Sequence, residues 1–141
     1  MHVRPIDLLL VDDDELDVMN VQRALATAGA DGVDVVVASD GIEALALLRS
    51  GAVRRDRLVI LLDLRMPRMG GLEMLRVMRS DPALAELPVI VLTTSDDAGD
   101  RREAFALHVA GYFVKPSTSA DYRALLGAVM QYWGACERPG P

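Results

Sequence analysis

Cysteine occurs once in this 141-residue chain, at Cys136, which excludes an internal disulfide and any cysteine-based metal cluster. No apolar run approaches the roughly 18 residues needed to span a bilayer, and the N-terminus lacks the charged-then-apolar pattern of a signal peptide. Both absences point to a soluble, cytoplasmic protein with no membrane partner. Positive charge is in deficit, and a net charge of −6 argues against nucleic acid as a direct partner. Arg54, Arg55 and Arg57 form the only dense basic group and read as a solvated loop. Repeats, linkers and low-complexity stretches are missing as well. With 51% hydrophobic residues, the chain reads as one domain with a real core, over residues 1–136, followed by a short tail at 137–141 that frays from Arg138.

What is present is an alternation of short apolar runs with helix-period segments. Leu8 to Val11 reads as a first strand, and Glu15 to Ala28 as a helix with Leu16, Met19, Leu25 and Ala28 near one stripe and Gly29 as its stop. Val33 to Ala38 is strand-like, and Ser39 or Asp40 caps a helix reaching Arg49 and closed by Gly51. Leu58 to Leu62 has the continuous apolar character of a central strand covered on both faces. A helix from Leu72 to Arg79 follows Gly70-Gly71, and a fourth strand runs from Pro88 through Leu92. Asp96 or Asp97 caps a helix to about Ala110, Gly111 opens the fifth strand, and Ser117 or Ser119 caps a last helix burying Leu125, Leu126, Val129 and Trp133. Five such units imply an α/β fold, with a parallel sheet, five helices on its two faces and right-handed crossovers. The flavodoxin-like, doubly wound five-stranded order 2-1-3-4-5 fits this length; that order belongs to the fold and is not read from these residues.

The strand ends carry the chemistry. Val11 is followed by Asp12, Asp13 and Asp14, Leu62 by Asp63, Leu92 by Thr93 and Val114 by Lys115. Carboxyl ends of parallel strands share the edge where ligands bind in open α/β folds. Lys115 is the only lysine among 15 basic residues, so a compact ammonium stands where it would reach a phosphoryl oxygen. Strands 1 and 3 are neighbours in that order, and two carboxylates about 5 Å apart repel by roughly 3 kcal/mol at an effective dielectric of 20. Mg2+, which takes one or two carboxylates and bridges to phosphate, is the natural compensation for Asp12, Asp13 and Asp63, whereas Asp14 reads as a helix cap. A carboxylate at Asp63 can then attack a phosphoryl group, with Lys115 and the Thr93 hydroxyl neutralising the transferred oxygens.

The chain resembles a receiver domain of the two-component response-regulator family over nearly its whole length. Val11-Asp12-Asp13, Leu61-Leu62-Asp63 with Met66-Pro67 and Gly70-Gly71, Val91-Leu92-Thr93 and Gly111-Tyr112-Phe113-Val114-Lys115-Pro116 carry the resemblance. It implies that Asp63 is the phosphoacceptor, that Asp13 binds Mg2+ directly and Asp12 through water, and that the Arg65 carbonyl completes the ligands. It also implies a Thr93–Tyr112 switch pair and a sensor histidine kinase as donor. The segment from His108 to Lys115, with Tyr132-Trp133, resembles regulators paired with bacterial phytochrome kinases. That likeness implies a light-regulated kinase as partner and a homodimer through helix 4, strand 5 and helix 5. With no segment for an output module after the last helix, the expected output is a presented surface.

Other expectations follow from position. The Arg65 side chain should overhang the phosphoryl site, Ser95 should leave the opposite rim small and uncharged, and His108 should be structural. Alternatives stay open at this point: a phosphorelay intermediate passing the group to a histidine phosphotransfer protein, or an unphosphorylated dimeric scaffold. A flavin- or nucleotide-binding module is opposed by the acidic first loop, Asp12 to Glu15, which would repel a ligand phosphate without a metal.

Overall fold

The structure, a computed structural model, describes residues 5–28 and 32–138. Its elements alternate as β1 (Ile6–Val11), α1 (Glu15–Thr27), β2 (Val33–Ala38), α2 (Gly41–Ser50), β3 (Leu58–Leu62), α3 (Gly71–Ser80), β4 (Val89–Thr93), α4 (Ala98–Ala106), β5 (Gly111–Val114) and α5 (Ser119–Ala135). The five strands form one sheet in the order β2-β1-β3-β4-β5, every pair parallel. Strands β1, β3 and β4 are buried along their full length, as their unbroken apolar runs require.

Alternation along each strand divides the interior into two cores. Leu9, Val11, Ile60, Leu62, Val89 and Val91 pack with the side chains of α2, α3 and α4. Leu8, Leu10, Val59, Leu61, Ile90 and Leu92 pack with those of α1 and α5. Register sets the functional edge: Val11 lies opposite Leu62, so Asp12 and Asp63 emerge side by side. Thr93 lies opposite Val114, which puts Lys115 just beyond it.

The helices depart from expectation where distant groups intervene. In α1 the buried residues are Val21, Ala24 and Leu25, whereas Leu16 and Met19 are 64% and 41% exposed. Those two side chains line a cavity above the sheet edge instead of the core. The helix ends at Thr27, capped by the Ala28 N–H on the Ala24 carbonyl; Gly29 lies outside the described residues. Helix α4 stops at Ala106 rather than near Ala110, because His108 turns left-handed at φ 60°. The Arg79 guanidinium takes up the carbonyls thereby released, donating to Leu107 at 2.7 Å and His108 at 3.1 Å. Thr118, and neither neighbouring serine, caps α5 by accepting the Asp121 N–H at 3.1 Å. Leu126 and Val129 are buried in α5 as expected, with Tyr122 and Met130, while Leu125 and Trp133 are partly covered.

The arginine group is not a solvated loop. Arg57 holds the buried carboxylate of Asp7 through two bonds of 3.1 and 3.0 Å, and Arg55 donates to the carbonyls of Leu48 and Ala83. Arg54 alone stays at the surface, paired with exposed Asp56. Nor does the tail fray at its first residue: Arg138 donates to the Leu58 and Arg57 carbonyls at 2.8 and 3.2 Å and lies 4.9 Å from the Trp133 ring centre.

Helix α3 begins one residue before the expected Leu72 and starts tight against the functional edge. A Cβ at Gly71 would stand 2.4 Å from the Asp63 carbonyl oxygen and 2.9 Å from the Leu64 Cα. Neither backbone atom can yield without moving the strand end. Gly71→Ala is therefore expected to lower stability by about 1–3 kcal/mol, as overpacking does, measured as a lower urea midpoint at unchanged slope.

Candidate functional site

Three loops converge at the carboxyl edge. The β1–α1 loop supplies Asp12, Asp13 and Asp14; the β3–α3 loop follows Asp63; the turn after β5 supplies Lys115. Asp14 caps α1, its carboxylate accepting the N–H groups of Leu16 and Asp17 at 2.9 and 3.3 Å. Asp12 and Asp63 are buried, at 4% and 5% exposure, and Asp13 is exposed. Asp12, Asp13 and Asp63 each offer a carboxylate oxygen, and these oxygens lie within 4.8 Å of one another.

Lys115 is the counter-charge. Its ammonium stands 2.9 Å from Asp12, 3.1 Å from Asp63 and 2.6 Å from Asp17, with the side chain only 6% exposed. Burial pulls the ammonium toward the neutral form, but the hydrogen bonds to Asp17 and Asp12 and the charge of Asp63 outweigh it and hold the group above its usual 10.5. Lys115 pairs with three carboxylates, and Asp13 adds a fourth beside them, so the negative charge remains undercompensated. Burial accordingly pushes the Asp12 carboxyl from its usual 3.8 to about 6, against the opposing pull of the Asp14 N–H and Lys115. Clustered hard oxygen donors with excess negative charge are a donor set suited to Mg2+ or Mn2+. A cavity of about 690 Å3 opens over them, walled by Leu16 and Met19 on one side and Arg65 and Thr94 on the other.

Thr93 is fully buried, its hydroxyl oxygen accepting the Ser95 N–H at 3.3 Å. Half-buried Tyr112 donates its hydroxyl to the Ser95 carbonyl at 2.9 Å, with its ring 6.4 Å from that of Phe105. The two expected switch residues thus meet at Ser95. Arg65 lines the cavity over Asp63. Its N–H donates to Asp63 at 3.3 Å, and its guanidinium reaches Asp100 in the first turn of α4 at 2.6 Å. Asp100 also corrects the expected neutral rim at Ser95, whose hydroxyl it accepts at 2.6 Å.

A model of the response regulator receiver domain matches residues 8–126. The chain belongs to that family. It is 36% identical over 140 residues to the probable methanogenesis regulatory protein FilR2 of Methanothrix harundinacea, covering 97% of this chain and 90% of that protein. It is 32% identical over 132 residues to response regulator Rcp1 of Synechocystis, covering 92% and 89%. The Mn2+-bound form of Rcp1 superposes with a TM-score of 0.83 at 31% identity, over 97% of this chain and 99% of that one. The phosphorylated cyanobacterial phytochrome response regulator RcpA superposes with a TM-score of 0.86 at 33% identity, over 96% of this chain and 99% of that one. Receiver domains are phosphoacceptors served by histidine kinases, and they hold a divalent cation at an acidic pocket. In this receiver no described helix is long and apolar enough to cross a membrane.

Two members of the site escaped the sequence. Asp17 holds the shortest contact to Lys115, across 98 positions, and nothing local in the sequence announces that pairing. Asp100 looked like an ordinary acidic residue at a helix start and carried no signal of its link to Arg65.

The raised carboxyl of Asp12 has a testable sign. The folded receiver binds that proton more tightly than the unfolded chain, so the Asp12 contribution to stability without metal is fully present below about pH 4 and is lost as pH rises through 6. Asp12→Asn removes this penalty. In EDTA at pH 7 the variant should be more stable than wild type by about 1–3 kcal/mol, with the gap closing at pH 4, by urea unfolding at both values.

Proposed function

We propose that this receiver accepts a phosphoryl group on Asp63 from the phosphohistidine of a sensor kinase in the cytoplasm. The observation that supports this most directly is the buried Lys115 ammonium, 3.1 Å from Asp63 and 2.9 Å from Asp12 beside an acidic trio. Asp12, Asp13 and Asp63, with the Arg65 carbonyl, are the residues that would hold Mg2+. A divalent cation bound there supplies positive charge to a phosphoryl oxygen.

An Asp63 carboxylate oxygen attacks phosphorus, the P–N bond to the donor imidazole breaks, and the electron pair leaves on that nitrogen. Charge on the transferred group spreads over three oxygens, so the task of this chain is positioning and neutralisation. Lys115 moves its ammonium from the Asp63 carboxylate to a phosphoryl oxygen while Asp17 retains it in the site. The Thr93 hydroxyl turns from the Ser95 N–H to a second oxygen, and Tyr112 follows into the space beside β4. A shift from about 1% to 99% active needs roughly 5.5 kcal/mol of differential stabilisation; these few charge-assisted bonds supply part of it, giving partial switching.

The output is a surface on α4, β5 and α5, where Phe105, Val114 and Tyr132 are 52%, 45% and 64% exposed. We assign to it phosphorylation-sensitive pairing with a second copy. The likeness to Rcp1 and RcpA supports a phytochrome-type kinase as the donor.

Acetyl phosphate tests the reading without a kinase. Wild type with Mg2+ should gain the mass of one phosphoryl group, while Asp63→Asn, or wild type in EDTA, gains none. A silent wild type would remove the phosphoacceptor role. Tyr112→Ala should keep the mass gain and lose any phosphorylation-dependent dimer seen by sedimentation.

A further inference from the structure

Arg65 lines the cavity, and its connections are more specific than a surface ion pair requires. Its peptide N–H is bound to Asp63, while its guanidinium is bound to α4. The Arg65 Nη2 lies 2.6 Å from Oδ2 of Asp100 and 3.5 Å from Oγ of Ser95. The same Asp100 oxygen accepts the Ser95 hydroxyl at 2.6 Å. Ser95 in turn bonds both switch residues, through its N–H to Thr93 and its carbonyl to Tyr112. A single side chain therefore joins the phosphoacceptor loop to the one residue shared by Thr93, Tyr112 and α4.

The two ends of this link differ in freedom. The Asp100 side chain is 15% exposed and fixed on a helix, whereas that of Arg65 is 62% exposed on a loop. Asp100 keeps the Ser95 hydroxyl and the positive end of α4 when Arg65 leaves, so its charge is not stranded. A phosphoryl group brings roughly two negative charges and three acceptor oxygens to Asp63, within two residues of the guanidinium. A planar guanidinium fork binds phosphate in a bidentate manner more strongly than a single carboxylate oxygen at a solvent-facing rim.

Resting on the phosphoacceptor reading of Asp63, we propose that Arg65 is a charge-operated clasp on α4. In the unmodified receiver it closes on Asp100 and holds the β4–α4 loop in place. A phosphoryl group on Asp63 draws the guanidinium away from Asp100, so that Ser95 and the first turn of α4, still joined to each other, are released from the phosphoacceptor loop. Arg65 acts here as a positioning residue, through Asp100 and Ser95, on the Thr93–Tyr112 pair.

The test is a double-mutant cycle read by amide exchange over residues 95–101, in wild type, Arg65→Gln, Asp100→Asn and the double variant. Each protein is measured in Mg2+ with and without acetyl phosphate, with its mass gain recorded. Without acetyl phosphate, each single variant should exchange about two- to five-fold faster than wild type, the range of a partly exposed ion pair. The double variant should be no faster than either. Raising the salt concentration should shrink the difference. With the phosphoryl group in place, wild type should exchange as fast as Arg65→Gln, and the coupling should vanish. Coupling that persists after a full mass gain overturns the clasp, and so does its absence in the unmodified protein. A wild type that gains no mass sinks the phosphoacceptor reading itself, and the clasp with it; mass gain with unchanged coupling sinks the clasp alone.

Discussion

One ammonium group holds this site together. Lys115 is the only lysine of the chain, and it stands among three carboxylates that would otherwise repel one another at a buried sheet edge. Its pairs with Asp12, Asp17 and Asp63 tie the turn after β5 to the end of β1, the first turn of α1 and the end of β3. Even so Asp12 resists ionisation, chiefly because it is buried and only in small part because Asp63 stands beside it. Three clustered carboxylates beside one buried ammonium form a donor set in which a divalent cation would offset the excess negative charge.

Fold and site share a single origin in strand register. Because Val11 is level with Leu62 and Thr93 with Val114, residues one step beyond the apolar runs fall together without any dedicated scaffold. The two cores on either face of the sheet fix that register, since a one-residue slip would turn each buried row to the wrong face.

The strands were legible because a continuous apolar run ending in one polar residue is read locally, and Asp12, Asp13, Asp63, Thr93 and Lys115 all follow that form. What escaped the sequence depended on partners far along the chain. Leu16 and Met19 have helical spacing, but spacing does not tell a core from the wall of a cavity. The pairing of Asp17 with Lys115 spans 98 positions, and that of Arg57 with Asp7 spans 50. The end of α4 was misplaced because Arg79, 28 residues away, satisfies the carbonyl that allows the helix to stop. Capping alternatives one residue apart, as at Ser117, Thr118 and Ser119, are separated only by backbone angles that adjacent hydroxyl residues do not announce.

The close seating of Gly71 gives the molecule a stiff side and a compliant side. Toward α3 the end of β3 abuts backbone, and Arg68 pins the same loop to the buried carboxylate of Asp40. Toward α4 the neighbouring loop is held largely through side chains, several of them meeting at Ser95 and Asp100. The two sides of the sheet edge thus differ in stiffness, as a welded joint in a frame differs from a bolted one, and the missing Cβ of one glycine sets the welded side.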